Sequence, residues 1–245
     1  MRHDEQTHRT IDGAAVYWQQ WLPDDDPTAV VCLIHGLGEH SGRYEHVARR
    51  LTHEGMAVFA IDLRGHGHSG GARGDLRVDD AMTDIADLID FAHDEFPGLP
   101  VFLYGHSLGG LLSMTYVVRH QPEITGVVAS APALDSTLRE QRVKFFVANM
   151  LGGMGPGVTI PTGLDPEGVS RDPEVVKAYL ADPLVHDQGS LGLAKQTVDA
   201  MDAMMEQTSF QRPLLIIHGL ADSLTVPQAS KTFTEQVTGD VTLLE

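Results

Sequence analysis

The pentapeptide Gly105-His106-Ser107-Leu108-Gly109 constrains this chain more than any other stretch, because of what flanks it. The apolar run Val101-Phe102-Leu103-Tyr104 precedes it, and a helix-like stretch from Leu111 to Val118 follows. A G-x-S-x-G sequence between a strand and a helix is the setting of a nucleophile elbow. The serine sits on a tight turn that lifts its hydroxyl clear of the sheet, and the glycines on either side leave room for that turn. Ser107 is therefore the candidate nucleophile toward a carbonyl. The backbone N–H of Leu108, at the start of the next helix, is a candidate donor to the oxygen that becomes negative in such an attack.

With 245 residues and 42% hydrophobic content, the chain can bury a full core as one domain. No run reaches the roughly 18 to 20 apolar residues that span a bilayer. The polar start Met1-Arg2-His3-Asp4-Glu5 also lacks a signal peptide's apolar segment, so the expectation is a soluble, cytoplasmic protein. The single cysteine, Cys32, lies in the strand-like Val30-Val31-Cys32-Leu33-Ile34 and reads as a small buried hydrophobe, not a reactive thiol. Against 34 acidic residues stand 17 basic ones, a formal charge of −17, which disfavours nucleic acid as a partner. That acidity fits solvated charge for solubility, with adaptation to high salt as the other reading.

An Asp12-Gly13 turn signal within Thr10 to Trp21 predicts an opening hairpin, followed by the acidic loop Asp24-Asp25-Asp26-Pro27. Short, nearly continuous apolar runs then recur at Val30 to Ile34, Ala57 to Ile61, Val101 to Tyr104, Gly126 to Ser130 and Leu214 to His218, as in strands covered on both faces. Helical patterns alternate with them at Tyr44 to Glu54, Asp79 to Phe96, Leu108 to His120 and Pro227 to Val237, and a strand-like Val241 to Leu244 comes last. The expected fold is α/β, a mostly parallel sheet with helices on both faces. The interval 135–211 breaks the rhythm, with no clear strand, glycines and prolines through Gly152 to Gly168, and scattered Phe145, Phe146, Met150, Leu151, Met154, Met201, Met204 and Met205. It reads as a helical cap inserted into a core of residues 1–134 and 212–245. Those apolar residues then serve either as a lid over the site or as ordinary core packing.

Two further loops join Ser107. His35-Gly36-Leu37-Gly38-Glu39-His40 leaves the first buried strand at the carboxyl edge, where α/β folds place ligands, and can offer the Leu37 N–H as second oxyanion donor. After Leu215-Ile216-Ile217-His218-Gly219, Asp222 is the candidate acid that orients a catalytic histidine, with a turn or cap residue as the plainer reading. His66 and His68 alternate within Asp62 to Ser69, but nothing is spaced to complete a zinc site, so no metal is expected.

The segments His35 to Tyr44, Asp62 to Gly71 and Gly105 to Gly110 closely resemble monoacylglycerol lipases and the related lysophospholipase-like α/β hydrolases. The resemblance implies an α/β-hydrolase fold with an inserted helical cap that touches membrane surfaces transiently. It implies a cofactor-free serine esterase acting on a small lipid ester with one long acyl chain. By the same resemblance Ser107 matches the nucleophile, Leu37 and Leu108 the oxyanion donors, and Asp222 the triad acid. Glu39 and Arg43 match positions near the polar end of the pocket, where glycerol is held; a loop-stabilising ion pair is their other reading.

One departure from the pattern is plain. Such hydrolases need a histidine beyond the last strand, and none of the 23 residues after Asp222 is a histidine. The expectation is a truncated sequence whose histidine lies beyond Glu245. Loss of that residue alone costs on the order of 10⁶-fold in turnover, so the 245 residues by themselves are expected to be nearly inert. The alternatives carried forward are a lipid-binding protein without catalysis and a peptidase or other carboxylesterase of the same fold.

Overall fold

A computed structural model of the chain describes residues 1–135 and 155–245. The chain opens with the hairpin β1 (Arg2–Arg9) and β2 (Ala15–Leu22), which turns through Asp12-Gly13 with Gly13 at φ 84°. This hairpin begins earlier than the sequence suggests. β1 is polar and exposed along its whole length, so no apolar alternation marks it, and only its antiparallel pairing with β2 makes it a strand.

From there strands and helices alternate: β3 (Ala29–Ile34), a 3-10 turn (Ser41–Tyr44), α1 (Glu45–His53), β4 (Met56–Ile61), α2 (Val78–Glu95), β5 (Val101–His106), α3 (Leu108–His120) and β6 (Gly126–Ser130). The described part of the following segment holds β7 (Thr159–Pro161), a second 3-10 turn (Pro166–Val169), α4 (Pro173–Ala181), β8 (Gln188–Ser190) and α5 (Leu191–Met205). The chain then re-enters the sheet with β9 (Leu214–Ile217), α6 (Pro227–Gln236) and β10 (Val241–Leu244). Eight strands form one sheet in the order β1-β2-β4-β3-β5-β6-β9-β10, antiparallel through β1, β2 and β4 and parallel from β4 onward.

The apolar runs are continuous because both faces of the sheet are covered. Along β3, Val30, Cys32 and Ile34 enter the large core with α2 and α3, whereas Val31 and Leu33 enter a smaller one, with Ala48 of α1 and Trp21. β4 divides the same way, with Ala57, Phe59 and Ile61 on one side and Val58 and Ala60 on the other. This is the period-two pleat of a strand buried twice.

The sheet order places a topological switch at β3, whose neighbours are β4 on one side and β5 on the other. The loops leaving β3 and β5 therefore flank the crevice in which open α/β sheets hold their ligands.

One expectation for the inserted interval needs correction, and one choice between two readings is decided for part of it. It does contain strands: β7 and β8 pair antiparallel from Thr159↔Ser190 to Pro161↔Gln188. At three residues each, and including Pro161 and Gly189, they carry too little pattern to be seen in the sequence. Met201 and Met204 are fully buried in the large core and so belong to packing, not to a lid. Phe145, Phe146, Met150, Leu151 and Met154 lie outside the described residues.

Helix α3 can start where it does only because Gly109 has no side chain. A Cβ there would stand 2.2 Å from the carbonyl oxygen of Ile34 and 2.4 Å from that of His35, both backbone atoms that cannot swing aside. Gly109→Ala is expected to cost about 3 kcal/mol, the upper range for overpacking, or roughly 6 to 12 °C in Tm for a chain of this size. Gly219→Ala, with nothing within 4 Å of its Cβ, should leave the melting curve in place.

Candidate active site

Ser107 has φ 50° and ψ −115°, a backbone conformation that a residue with a Cβ rarely adopts. Strain of this kind persists only where the surroundings over-determine it. Here the Ser107 N–H donates to the Ser130 carbonyl at 2.9 Å, while the Ser107 carbonyl accepts from Ala133 at 3.0 Å and from Leu111 at 3.1 Å. The clamping loop is strained in turn, with Ala131 at φ 43° and its N–H held by the Ile217 carbonyl at 2.7 Å. Neither Gly105 nor Gly109 has a positive φ. Both are glycine for clearance, since a Cβ on Gly105 would stand 2.3 Å from the Gly109 carbonyl oxygen.

The loop after β3 approaches this elbow because Ile34 pairs with Gly105. A Cβ on Gly36 would be 3.3 Å from the Cβ of Ser107 and 2.8 Å from Glu39 Oε1. Glu39 holds the loop's shape: Oε1 accepts from the Gly36 N–H at 2.8 Å and the Tyr44 hydroxyl at 2.6 Å, and Oε2 pairs with Arg43. Burial opposes the charge on Glu39, but His106, Arg43, His35 and the Tyr44 hydroxyl outweigh that and hold its carboxyl below the usual range. Buried Asp62 fastens the next turn, accepting from both the N–H and the hydroxyl of Ser41, at 2.7 and 2.6 Å, and from the His68 N–H at 2.8 Å.

A cavity of about 360 Å³ opens over the elbow, and all six predicted site residues line it: Ser107, Leu37, Leu108, Asp222, Glu39 and Arg43. The two readings of Glu39 and Arg43 are thus compatible, because the ion pair forms and also faces the cavity. The sequence reading missed Tyr179, whose ring lies 4.7 Å below the Arg43 guanidinium and also lines the cavity. It missed Tyr104, His106 and Thr225 in the lining as well. Tyr179 comes from α4, and no local motif marks a residue whose partner lies 136 positions away.

Asp222 sits in the loop after β9 and is fixed from several directions. Its Oδ1 accepts from the N–H groups of Leu224 at 2.8 Å and Thr225 at 2.9 Å, and its Oδ2 from the Thr225 hydroxyl at 2.8 Å. His218 Nε2 stands 3.5 Å from that same Oδ2. Burial pushes the Asp222 carboxyl up, but the contacts from His218, Thr225 and Leu224 prevail and bring it to about 2. His218 is a supporting group here: it is buried, and its Nδ1 is engaged by the Ser230 hydroxyl at 2.7 Å. His66 is buried between the rings of His35 and His186, and the His68 ring packs at a tilt against Tyr17. Among the described residues, no group of three or more histidine, cysteine, aspartate and glutamate side chains could hold a metal ion.

The model of the serine aminopeptidase S33 family of hydrolases matches residues 25–244. The chain belongs to this family. It is 38% identical over 240 residues to a monoacylglycerol lipase of Mycolicibacterium smegmatis, covering 96% of this chain and 85% of that one. The crystal structure of the Paleococcus ferrophilus monoacylglycerol lipase superposes with a TM-score of 0.82 at 39% identity, covering 94% of this chain and 88% of that one. A soluble variant of the Saccharomyces cerevisiae monoglyceride lipase, in complex with a substrate analogue, gives a TM-score of 0.88 at 25% identity, covering 98% and 84%. The α/β-hydrolase fold expected from the sequence is the fold of this family.

The depressed Asp222 carboxyl makes a testable statement. A group lowered in the folded state stabilises above its ordinary value near 4 and loses that contribution as pH falls through about 2. Stability measured from pH 5 to pH 2 should fall more steeply for the natural sequence than for Asp222→Asn, by roughly 2 kcal/mol over the interval.

Proposed function

We propose that this protein is a serine esterase that hydrolyses a monoacylglycerol or a similar single-acyl lipid ester through an acyl-enzyme on Ser107. The observation that carries the reading is the strained elbow of Ser107 at one cavity that Leu37, Leu108 and Asp222 also line. The substrate class is supported by the lining, which is apolar at Leu37, Val47, Ala133, Leu164, Val169 and Leu224 and polar at Glu39, Arg43, Tyr104 and Tyr179. It is supported also by the monoacylglycerol lipases to which the chain is similar.

In this mechanism the Ser107 hydroxyl adds to the ester carbonyl while its proton passes to an imidazole. The negative oxygen settles between the Leu37 and Leu108 N–H groups, and neither of these donates to another group among the described residues. The glyceryl alcohol leaves with the proton, and water repeats the sequence in reverse to release the fatty acid. Leu244 pairs with Ile217 in parallel, which sets the end of β10 beside the start of the loop that holds Asp222. Asp222, charged through the neutral range, orients that imidazole and stabilises its protonated form.

Residues 135–211 act as the cap in this reading. Its second 3-10 turn and α4 bring Leu164, Val169 and Tyr179 to the cavity, while Val175 and Leu180, 41% and 62% exposed, form the face that meets a lipid surface transiently. No described helix is long and apolar enough to cross a membrane.

Ser107→Ala in the full-length protein should abolish both fluorophosphonate labelling and release of fatty acid from a long-chain glyceryl ester. Undiminished hydrolysis would refute the assignment. An aminoacyl amide turned over faster than the ester would instead favour a peptidase. The oxyanion donors are main-chain groups, so Leu37→Ala should change kcat little, whereas Leu37→Pro removes one donor and should lower kcat about 10²- to 10³-fold.

A further inference from the structure

We propose that β1 is a docking edge for a second copy of this chain: two copies pair β1 with β1, antiparallel, about a two-fold axis at Thr7, and so join their sheets into one. The inference goes beyond the esterase reading and does not depend on it.

β1 is an edge of the eight-stranded sheet, and all eight of its residues are exposed. Its register with β2 runs without a bulge from Arg2↔Leu22 to Arg9↔Ala15. Just past the strand, the Thr10 N–H donates to the Ala14 carbonyl at 3.0 Å, and this fixes which residues face which way. By the alternation of an antiparallel ladder, Arg2, Asp4, Gln6 and His8 turn their main chain toward β2, while His3, Glu5, Thr7 and Arg9 turn theirs outward. The far side of β2 agrees with this phase. Ala15 and Tyr17, opposite Arg9 and Thr7, give their carbonyls to the N–H groups of Gly70 and Asp62, away from β1.

Natural sheets blunt an edge with lysine, proline, a bulge or a very short strand, and β1 has none of these. It is also locally neutral, with Arg2 and Arg9 against Asp4 and Glu5, in a chain whose formal charge of −17 repels a second copy elsewhere.

The order of the charges selects the register. Outward groups must meet outward groups, so a symmetric antiparallel pair has its axis at a residue of β1. An axis at Glu5 would set the two Glu5 carboxylates against each other, and one at Gln6 would set Arg9 against the partner's His3. An axis at Thr7 sets Arg9 of each copy against the partner's Glu5, and Thr7 against the partner's Thr7. Opposite charges and paired threonines are both favourable across strands. Arg9 is available for this role: among the described residues it forms no ion pair, and its Nη1 donates to the Gly13 carbonyl at 3.4 Å. Glu5 stands near His3 and Tyr17 and is still about half exposed. The axis is perpendicular to the sheet and reverses strand direction, so the two candidate active sites open at opposite ends of the joined sheet.

One strand from each copy is a small interface, so the dimer is weak and depends on concentration. Sedimentation equilibrium of the full-length protein, from micromolar to submillimolar concentration, should show monomer and dimer in exchange. Arg9→Glu and Glu5→Arg should each weaken the dimer about tenfold, because two symmetry-related pairs turn repulsive at once, and the two changes together should restore it. Thr7→Pro removes an outward N–H that β2 does not use, so it should give a monomer with its Tm unchanged. Because Cys32 is buried, Thr7→Cys adds one exposed thiol, and mild oxidation should link it across the axis faster than Gln6→Cys, which faces the partner's His8. A protein that stays monomeric at the highest concentration would overturn the proposal. So would a dimer indifferent to the charge reversals and to Thr7→Pro, or a charge swap that fails to restore it.

Discussion

The parallel pairing of β3 with β5 is the constraint on which the rest of the molecule depends. Because Ile34 lies opposite Gly105, the two strands end side by side and release their loops into the same crevice. Everything chemical is a consequence of that adjacency. The elbow after β5 must turn at once into α3, and α3 must begin against the carbonyls of Ile34 and His35, a fit that only glycine at position 109 permits. The same adjacency brings the loop after β3 so near the elbow that a Cβ on Gly36 would stand 3.3 Å from that of Ser107.

A sheet edge that presents a strained serine and unpaired N–H groups is unfavourable on its own, so polar contacts on every side have to hold it. Ser107 is clamped by main-chain hydrogen bonds with Ser130 at the end of β6, Ala133 in the loop after it and Leu111 of α3. The loop after β3 is held by buried side chains, Glu39 from within and Asp62 from the neighbouring loop, each satisfying several donors at once. Such carboxylates tolerate burial because each of their oxygens accepts at least one hydrogen bond. In the proposed mechanism, the rigidity they confer allows two backbone amides to wait for a charge that appears only during reaction.

Much of this was legible in the sequence, for identifiable reasons. Strands buried on both faces leave continuous apolar runs, so β3, β4, β5, β6 and β9 were found within two residues at either end, and α3 was placed from Leu108 to His120 as observed. The elbow and the acid loop were legible because local geometry demands glycine beside serine and a turn before Asp222. What escaped was structure without local pattern. β1 is a polar strand made by its partner, β7 and β8 are too short to carry a period, and the buried methionines of α5 look the same in a list of residues whether they face a core or a ligand. The stacking of Tyr179 on Arg43 and the hydrogen bond from the Leu63 N–H to the His35 ring join residues distant in sequence, and only the folded chain brings them together.

The most direct measurement is a crystal structure of the protein inactivated by an alkyl fluorophosphonate. A phosphorus atom bonded to Ser107 Oγ is expected, with its free oxygen about 2.7 to 3.1 Å from both the Leu37 and the Leu108 nitrogens. A phosphorus bonded elsewhere, or a free oxygen that turns to solvent and meets neither amide, would contradict the account at its centre.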